Sequence, residues 1–245
     1  MSTTPTNAST GVQNVQSILE GLFESGRGAD LIRAYFRVAE NGTKKFTGAA
    51  FDRPSGVPDP QADFFTESDL LGLSLLSVPV GGEIVRDLRA GLFDEELRDF
   101  GHSLNSLLAT VPKNVRFENS LDDETFTLHL AQGSPADTLW KALRQASIQQ
   151  SWGFGDTRIS KLLATKRPKL LPIFDSVVGA AFGYDHAAEH WNDLRALLQI
   201  ESVLEGLQTS VSDSGSDISA IRALDIILWM ELKGNYAQRA DGTLY

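Results

Sequence analysis

The chain has 245 residues, 42% hydrophobic and 22% charged, which is enough to bury a core and excludes disorder throughout. With no cysteine it excludes disulfides, thiol catalysis, Cys-ligated zinc and Cys-bound iron–sulfur clusters. Lys and Arg number 22 against 32 Asp and Glu, a net charge of −10, so any surface for nucleic acid must be local.

No apolar run approaches the ~20 residues that cross a bilayer, so no membrane partner is expected. Residues 1–11 are rich in Ser, Thr and Asn and lack the basic and apolar blocks of a signal peptide, which predicts a cytoplasmic protein. Residues 1–12 read as a disordered leader. Val15, Ile18, Leu19, Leu22 and Phe23 recur at helical spacing, and 30–38 reads as a second short helix. The stretch 44–62, with Gly48, Pro54, Gly56, Pro58 and Pro60, reads as irregular chain anchored by Phe46 and Phe51.

Thr66, with Asp69 three residues on and a leucine run behind it, is a helix start. Pro79 and Gly81-Gly82 end that helix. The segments 83–90 and 94–109 read as amphipathic helices with acidic first turns. Residues 114–119 and 125–130 have some strand character, and Asp122-Asp123 between them leaves room for a small β-hairpin.

Ser134-Pro135-Ala136-Asp137 supplies an N-cap, a proline at the first helical position and an early acid. That helix runs through Trp140, Leu143 and Ile148. After a turn at 152–155, a second helix carries Ile159, Leu162 and Leu163 and ends before Pro168. Further helices are predicted at 175–182, 186–200, 201–211 and 217–232, the last apolar nearly all round and therefore buried. Asp225 in it is expected to be neutralised by Arg222 or Arg167. The predicted organisation is a leader at 1–12, a mostly helical lobe at 13–132, a second helical lobe at 133–233 and a tail at 234–245.

The segment 140–183 carries the chemistry. Gly153 and Gly155 permit a tight turn between two helices and expose backbone N–H groups at the start of the second, an arrangement suited to a phosphate. Across 156–169 five basic residues, Arg158, Lys161, Lys166, Arg167 and Lys169, stand against Asp156 alone, a local charge of +4 that leaves −14 for the rest. The bland readings are a tight connection that packs Phe154 inward, and a solvated helix end bearing Lys166 and Arg167. Trp152 is either a stacking surface for a base or sugar, or a core residue. His186-Ala187-Ala188-Glu189-His190 matches a His-x-x-Glu-His pattern. No convincing third ligand follows it, so it reads as a polar helix start, and no metal is assigned.

Gly153-Phe154-Gly155, with Asp175 twenty residues beyond the second glycine, resembles the helix–hairpin–helix DNA glycosylase (HhH-GPD) superfamily. The resemblance covers about 45 residues. It implies a mainly α, helix–hairpin–helix glycosylase-like fold in the C-terminal half. It also implies a hairpin that grips a DNA backbone phosphate and an aspartate, Asp175, that supports cleavage of the base–sugar bond. Thr157 stands where bifunctional members carry a Schiff-base lysine, so the implied activity is monofunctional and needs no cofactor. Trp152 stands in place of the usual proline before the first glycine, and Asp156 follows the second. On this reading the DNA contacts are Gly153, Phe154, Gly155, Thr157, Arg158, Lys161, Lys166, Arg167 and Lys169, and binding through 153–169 is weak.

A second resemblance spans about 30–232. Its pieces include Phe46-Thr47-Gly48, Ser134-Pro135-Ala136-Asp137, Lys161-Leu162-Leu163-Ala164 with Lys166-Arg167-Pro168, Leu171-Pro172-Ile173-Phe174-Asp175, and Leu224-Asp225-Ile226-Ile227. Together they resemble a bacterial domain family of unknown function. The alternative to a glycosylase is a non-catalytic interaction or scaffold protein that retains the helical fold.

Overall fold

The structure, a computed structural model, describes residues 9–38, 42, 45–52, 59–184, 186–187 and 190–234. The first eight residues of the expected leader, much of 44–62, Glu189 and the tail beyond Gly234 lie outside the described residues. Among the described residues there are twelve α-helices: α1 (Thr10–Glu24), α2 (Arg27–Phe36), α3 (Glu67–Leu75), α4 (Gly82–Arg89), α5 (Leu104–Thr110), α6 (Asp123–His129), α7 (Pro135–Gln149), α8 (Asp156–Lys166), α9 (Ser176–Phe182), α10 (His190–Leu198), α11 (Glu201–Ser214) and α12 (Ala220–Lys233). The mainly helical class expected from periodicity is what forms. None of these helices is long and apolar enough to cross a membrane.

Two compact units make up the chain: residues 39–173, and residues 1–38 together with 174–245. The division expected near 131–134 falls inside the first of these. The reason is that α5, from the N-terminal half, packs on α7, and α3 packs on α8. The apolar faces of helices on either side of residue 132 cover one another, so that short link does not separate cores.

In the unit of 1–38 and 174–245, α1 starts at once after Ser9, whose hydroxyl accepts a hydrogen bond from the Val12 amide at 3.2 Å. Residues 10–12 of the expected leader are thus helical. Val12, Val15, Leu19 and Leu22 form one buried stripe. Helix α1 packs on α2, α9, α10 and α11. Close approach of α1 and α11 requires Gly206, since a Cβ there would fall 2.2 Å from the Phe23 ring. Helix α12 is buried along nearly its whole length. Its Asp225 is paired with Arg222, as one of the two expected partners, and Arg222 also donates to the Tyr35 hydroxyl at 2.9 Å. His190 is buried, with its Nδ1 2.9 Å from the Tyr184 hydroxyl and its ring edge-on to Phe174 at 5.2 Å.

In the unit of 39–173, Thr66 caps α3 as expected: its amide donates to Asp69 Oδ2 at 2.7 Å. Phe51, one of the two expected loop anchors, is buried with Leu76, Ala164 and Ile173. Two expectations fail here. The segment 94–109 is not one helix, because Gly101 turns the chain at φ 63° and the helix begins only where the Ser103 hydroxyl accepts from the Ser106 amide. The β-hairpin does not form either. Residues 117–119 make a 3-10 turn, and α6 replaces the second strand, with Asp122 accepting from the Thr125 amide at 2.8 Å and Asp123 and Glu124 in the first turn. Three acids at a helix start outweigh the β-branched threonines that suggested a strand.

Candidate nucleic-acid interface

Helix α7 begins on the Ser134 cap with Pro135 at its first position and runs to the turn that the two glycines were expected to form. Gly153 turns the chain at φ 68°, a left-handed conformation that favours glycine. Gly155 is the residue before α8 and offers no side chain to cap it. The amides of Gly155 and Thr157 meet no acceptor among the described residues, as expected at an uncapped helix start.

The Phe154 amide and the Gly153 and Phe154 carbonyls are taken. The Ser147 hydroxyl accepts from the Phe154 amide at 2.8 Å and lies 3.1 Å from the Phe154 carbonyl. Arg144 Nη1 donates to that same carbonyl at 2.8 Å, and Arg158 Nη1 donates to the Gly153 carbonyl at 2.7 Å. Carbonyls are thus neutralised from within, and the hairpin presents donors. Arg144 Nε also lies 3.8 Å from Asp156, the acid in the first turn of α8.

Trp152 anchors the turn from below. It is buried, stacks on Phe93 at 5.2 Å and donates its indole N–H to Asp87 at 2.9 Å. Of its two sequence readings, the core residue is what the structure shows. The indole bond, with Arg86 beside it, holds the Asp87 carboxyl below the usual aspartate range.

The expected contact residues separate into two groups. Gly153 and Lys169 are exposed, and Gly155, Thr157 and Arg158 are half-buried at the turn. Phe154 points inward, 1% exposed, with the Arg158 guanidinium over its ring at 5.9 Å. Lys161, Lys166 and Arg167 are buried, so these three are not surface groups for DNA, and the solvated-end reading fails for Lys166 and Arg167 while Lys169 is exposed.

Their burial has a physical reason. Lys166, 0% exposed, bonds both carboxylate oxygens of Asp69 at 3.0 and 3.2 Å. Burial pushes the Asp69 carboxyl up, with Lys166 and the Thr66 donors holding it partway back. Arg167, 1% exposed, donates to Asp63 at 2.8 Å and to the carbonyls of Leu108, Val111, Pro60 and Ala62. Leu108 and Val111 carry carbonyls at the end of α5, the first already accepting from the Val111 amide at 3.0 Å, and a cation suits that end of a helix. Lys161 donates to the Leu76 carbonyl at 3.2 Å, at the end of α3. The basic run is a clamp between α8 and the ends of two helices.

The signal for this was present in the spacing. Ile159, Leu162, Leu163 and Lys166 share one helical face by spacing, which puts Lys166 on the apolar face, although the helix is buried all round from Ile159 to Lys166.

Asp175 is the N-cap of α9 and half-buried, and its Oδ1 accepts from the Val177 amide at 2.9 Å. It belongs to the unit of 1–38 and 174–245, while the hairpin belongs to 39–173. No group of three or more His, Asp or Glu able to hold a metal occurs among the described residues.

A family model matches residues 28–232, and the chain belongs to that family, described as a family of unknown function, DUF6308. No curated protein and no solved structure matches the chain.

Proposed function

We propose that this is a DNA-associated protein that holds one backbone phosphate in the hairpin between α7 and α8. The observation that carries this reading is the hairpin's polarity. Its carbonyls at Gly153 and Phe154 are occupied by Arg158, Arg144 and Ser147, while the Gly155 and Thr157 amides meet no acceptor among the described residues. Open amides beside guanidinium groups suit a ligand that accepts hydrogen bonds and carries negative charge, such as a phosphodiester, with the Asp156 carboxylate between those amides opposing it. Exposed Lys169 adds charge at the far end of α8.

In its fuller form the reading adds hydrolysis of a base–sugar bond. Water adds to the sugar C1′, the base leaves with the bonding electrons and takes up a proton, and Asp175 stabilises the developing positive charge on the sugar. This step draws on the second unit, whereas phosphate holding needs only the first. The scaffold reading is favoured by one observation: three of the five cations of 156–169 are buried in the clamp.

The test is a titration of short duplexes, intact and with an abasic site, at several salt concentrations, with a base-release assay on damaged duplexes alongside. Salt-dependent binding that weakens in Arg158→Ala supports phosphate holding. Base release that disappears in Asp175→Asn with binding retained supports the hydrolytic form. Binding without release leaves a non-catalytic DNA-associated protein, and no binding at low salt leaves the scaffold.

A further inference from the structure

Helix α9 has seven residues, and a helix so short is not stable by itself. Asp175 fixes its first turn: the carboxylate accepts from the Val177 amide at 2.9 Å and the carbonyl from the Gly179 amide at 2.8 Å. The other end is held by α1. The Ala181 carbonyl, one of the last four of α9, accepts from the Asn14 side-chain amide at 2.8 Å. Three positions before Asn14, on the same helical face, Gly11 lies against the Phe182 backbone. A Cβ at Gly11 would fall 2.0 Å from the Phe182 carbonyl oxygen and 2.7 Å from its carbonyl carbon. Glycine weakens a helix, so its place in the first turn of α1 serves this close contact and not α1 itself. Helix α9 is about 10 Å long, so a tilt at its end is carried to its start.

We infer that α1 is a strap that sets the place of α9 and, through it, of Asp175, with Gly11 and Asn14 as positioning residues. This rests on the hydrolytic reading of Asp175 above and adds what holds that carboxylate in place. The strap lies outside the family region, which begins at residue 28. Helix α1 is also tied at its other end, where the Ser202 hydroxyl of α11 donates to Glu20 at 2.8 Å. Its buried stripe of Val12, Val15, Leu19 and Leu22 holds it too, so α1 stays seated when its polar contact with α9 is removed.

The test is amide hydrogen exchange of the full chain, read at Val177 and Gly179, in wild type, Gly11→Ala, Asn14→Ala, Asn14→Gln and Ser202→Ala, with the base-release assay on the same proteins. Alanine is a better helix former than glycine, so Gly11→Ala favours α1 by itself and acts against α9 only through their contact. Asn14 is exposed, and its variants keep the fold. Gly11→Ala and Asn14→Ala are each expected to speed exchange at Val177 and Gly179 about tenfold, with α2 and α12 unchanged. Asn14→Gln, which keeps the donor, is expected to restore slow exchange, and Ser202→Ala to leave it as in wild type. Base release is expected to fall in kcat with KM unchanged, because the phosphate-holding hairpin belongs to the other unit. Exchange at Val177 and Gly179 that keeps its wild-type rate, or that rises equally in α2 and α12, overturns the inference. So does base release that is unchanged while α9 exchanges faster. A wild type that releases no base overturns the hydrolytic reading, and exchange alone then decides the strap.

Discussion

Lys166 and Asp69 form an ion pair with both side chains at 0% exposure, and such a pair is costly to break from one side. Lys166→Ala or Asp69→Ala is expected to destabilise the protein by about 3–5 kcal/mol, because each leaves a buried charge alone. Lys166→Met combined with Asp69→Leu is expected to cost far less than the two single losses together, apart from the lost cap at Thr66. Urea unfolding midpoints of the three variants check this, and a double-variant loss equal to the sum of the two single losses would contradict it. The same residues show how far the sequence was legible. That 159–166 is a helix followed from its periodicity, and Asp175 as a helix start followed from its residue type. The partners of Lys166 and Arg167 did not, since Asp69 and Asp63 lie about a hundred positions upstream and only the fold brings them near. Charge counted along the chain cannot tell a surface patch from an internal clamp.

The turn between α7 and α8 is held by its neighbours more than by its own sequence. Gly153 was legible as a turn residue, but its fixing by Arg158, Arg144, Ser147 and the Trp152–Asp87 bond depends on the packed helices. Gly153→Ala is expected to destabilise by about 1–2 kcal/mol, since an L-residue pays that much in the left-handed region, and to weaken DNA binding with it. Acid gives a separate handle on this element. The Asp87 carboxyl is depressed in the folded state, so its contribution is present above the ordinary aspartate value of 3.8 and is lost as pH falls below it. Asp63, held down by Lys113 and Arg167, has the same sign. Asp69 is raised and has the opposite sign, binding its proton more readily when folded. Urea midpoints of wild type and Asp87→Asn, measured between about pH 5 and pH 3, are expected to fall less steeply in the variant. An identical acid slope would remove Asp87 from the account.

At the scale of the whole molecule, the family region, 28–232, draws on both units and leaves out α1, although α1 fills a core with Val12, Val15 and Leu19. The net charge of −10 opposes approach of a duplex over any distance that salt does not screen, about 8 Å at physiological ionic strength. With Lys161, Lys166 and Arg167 internal, few phosphates can be neutralised, so binding is expected to be weak and its salt dependence shallow. Asp156 lies in the first turn of α8, 3.8 Å from Arg144 Nε, and on the proposed reading Asp156→Asn is expected to strengthen binding severalfold by removing a like charge from the turn. An affinity that ignores this change would place the phosphate elsewhere. The measurement that bears most directly on the hairpin is the salt dependence of duplex affinity in wild type and Arg158→Ala. The account predicts a slope of log affinity on log salt of about −1 to −2 in wild type, flatter by about one unit in the variant. Duplex binding that is absent at low salt, or that keeps its slope in Arg158→Ala, would contradict it.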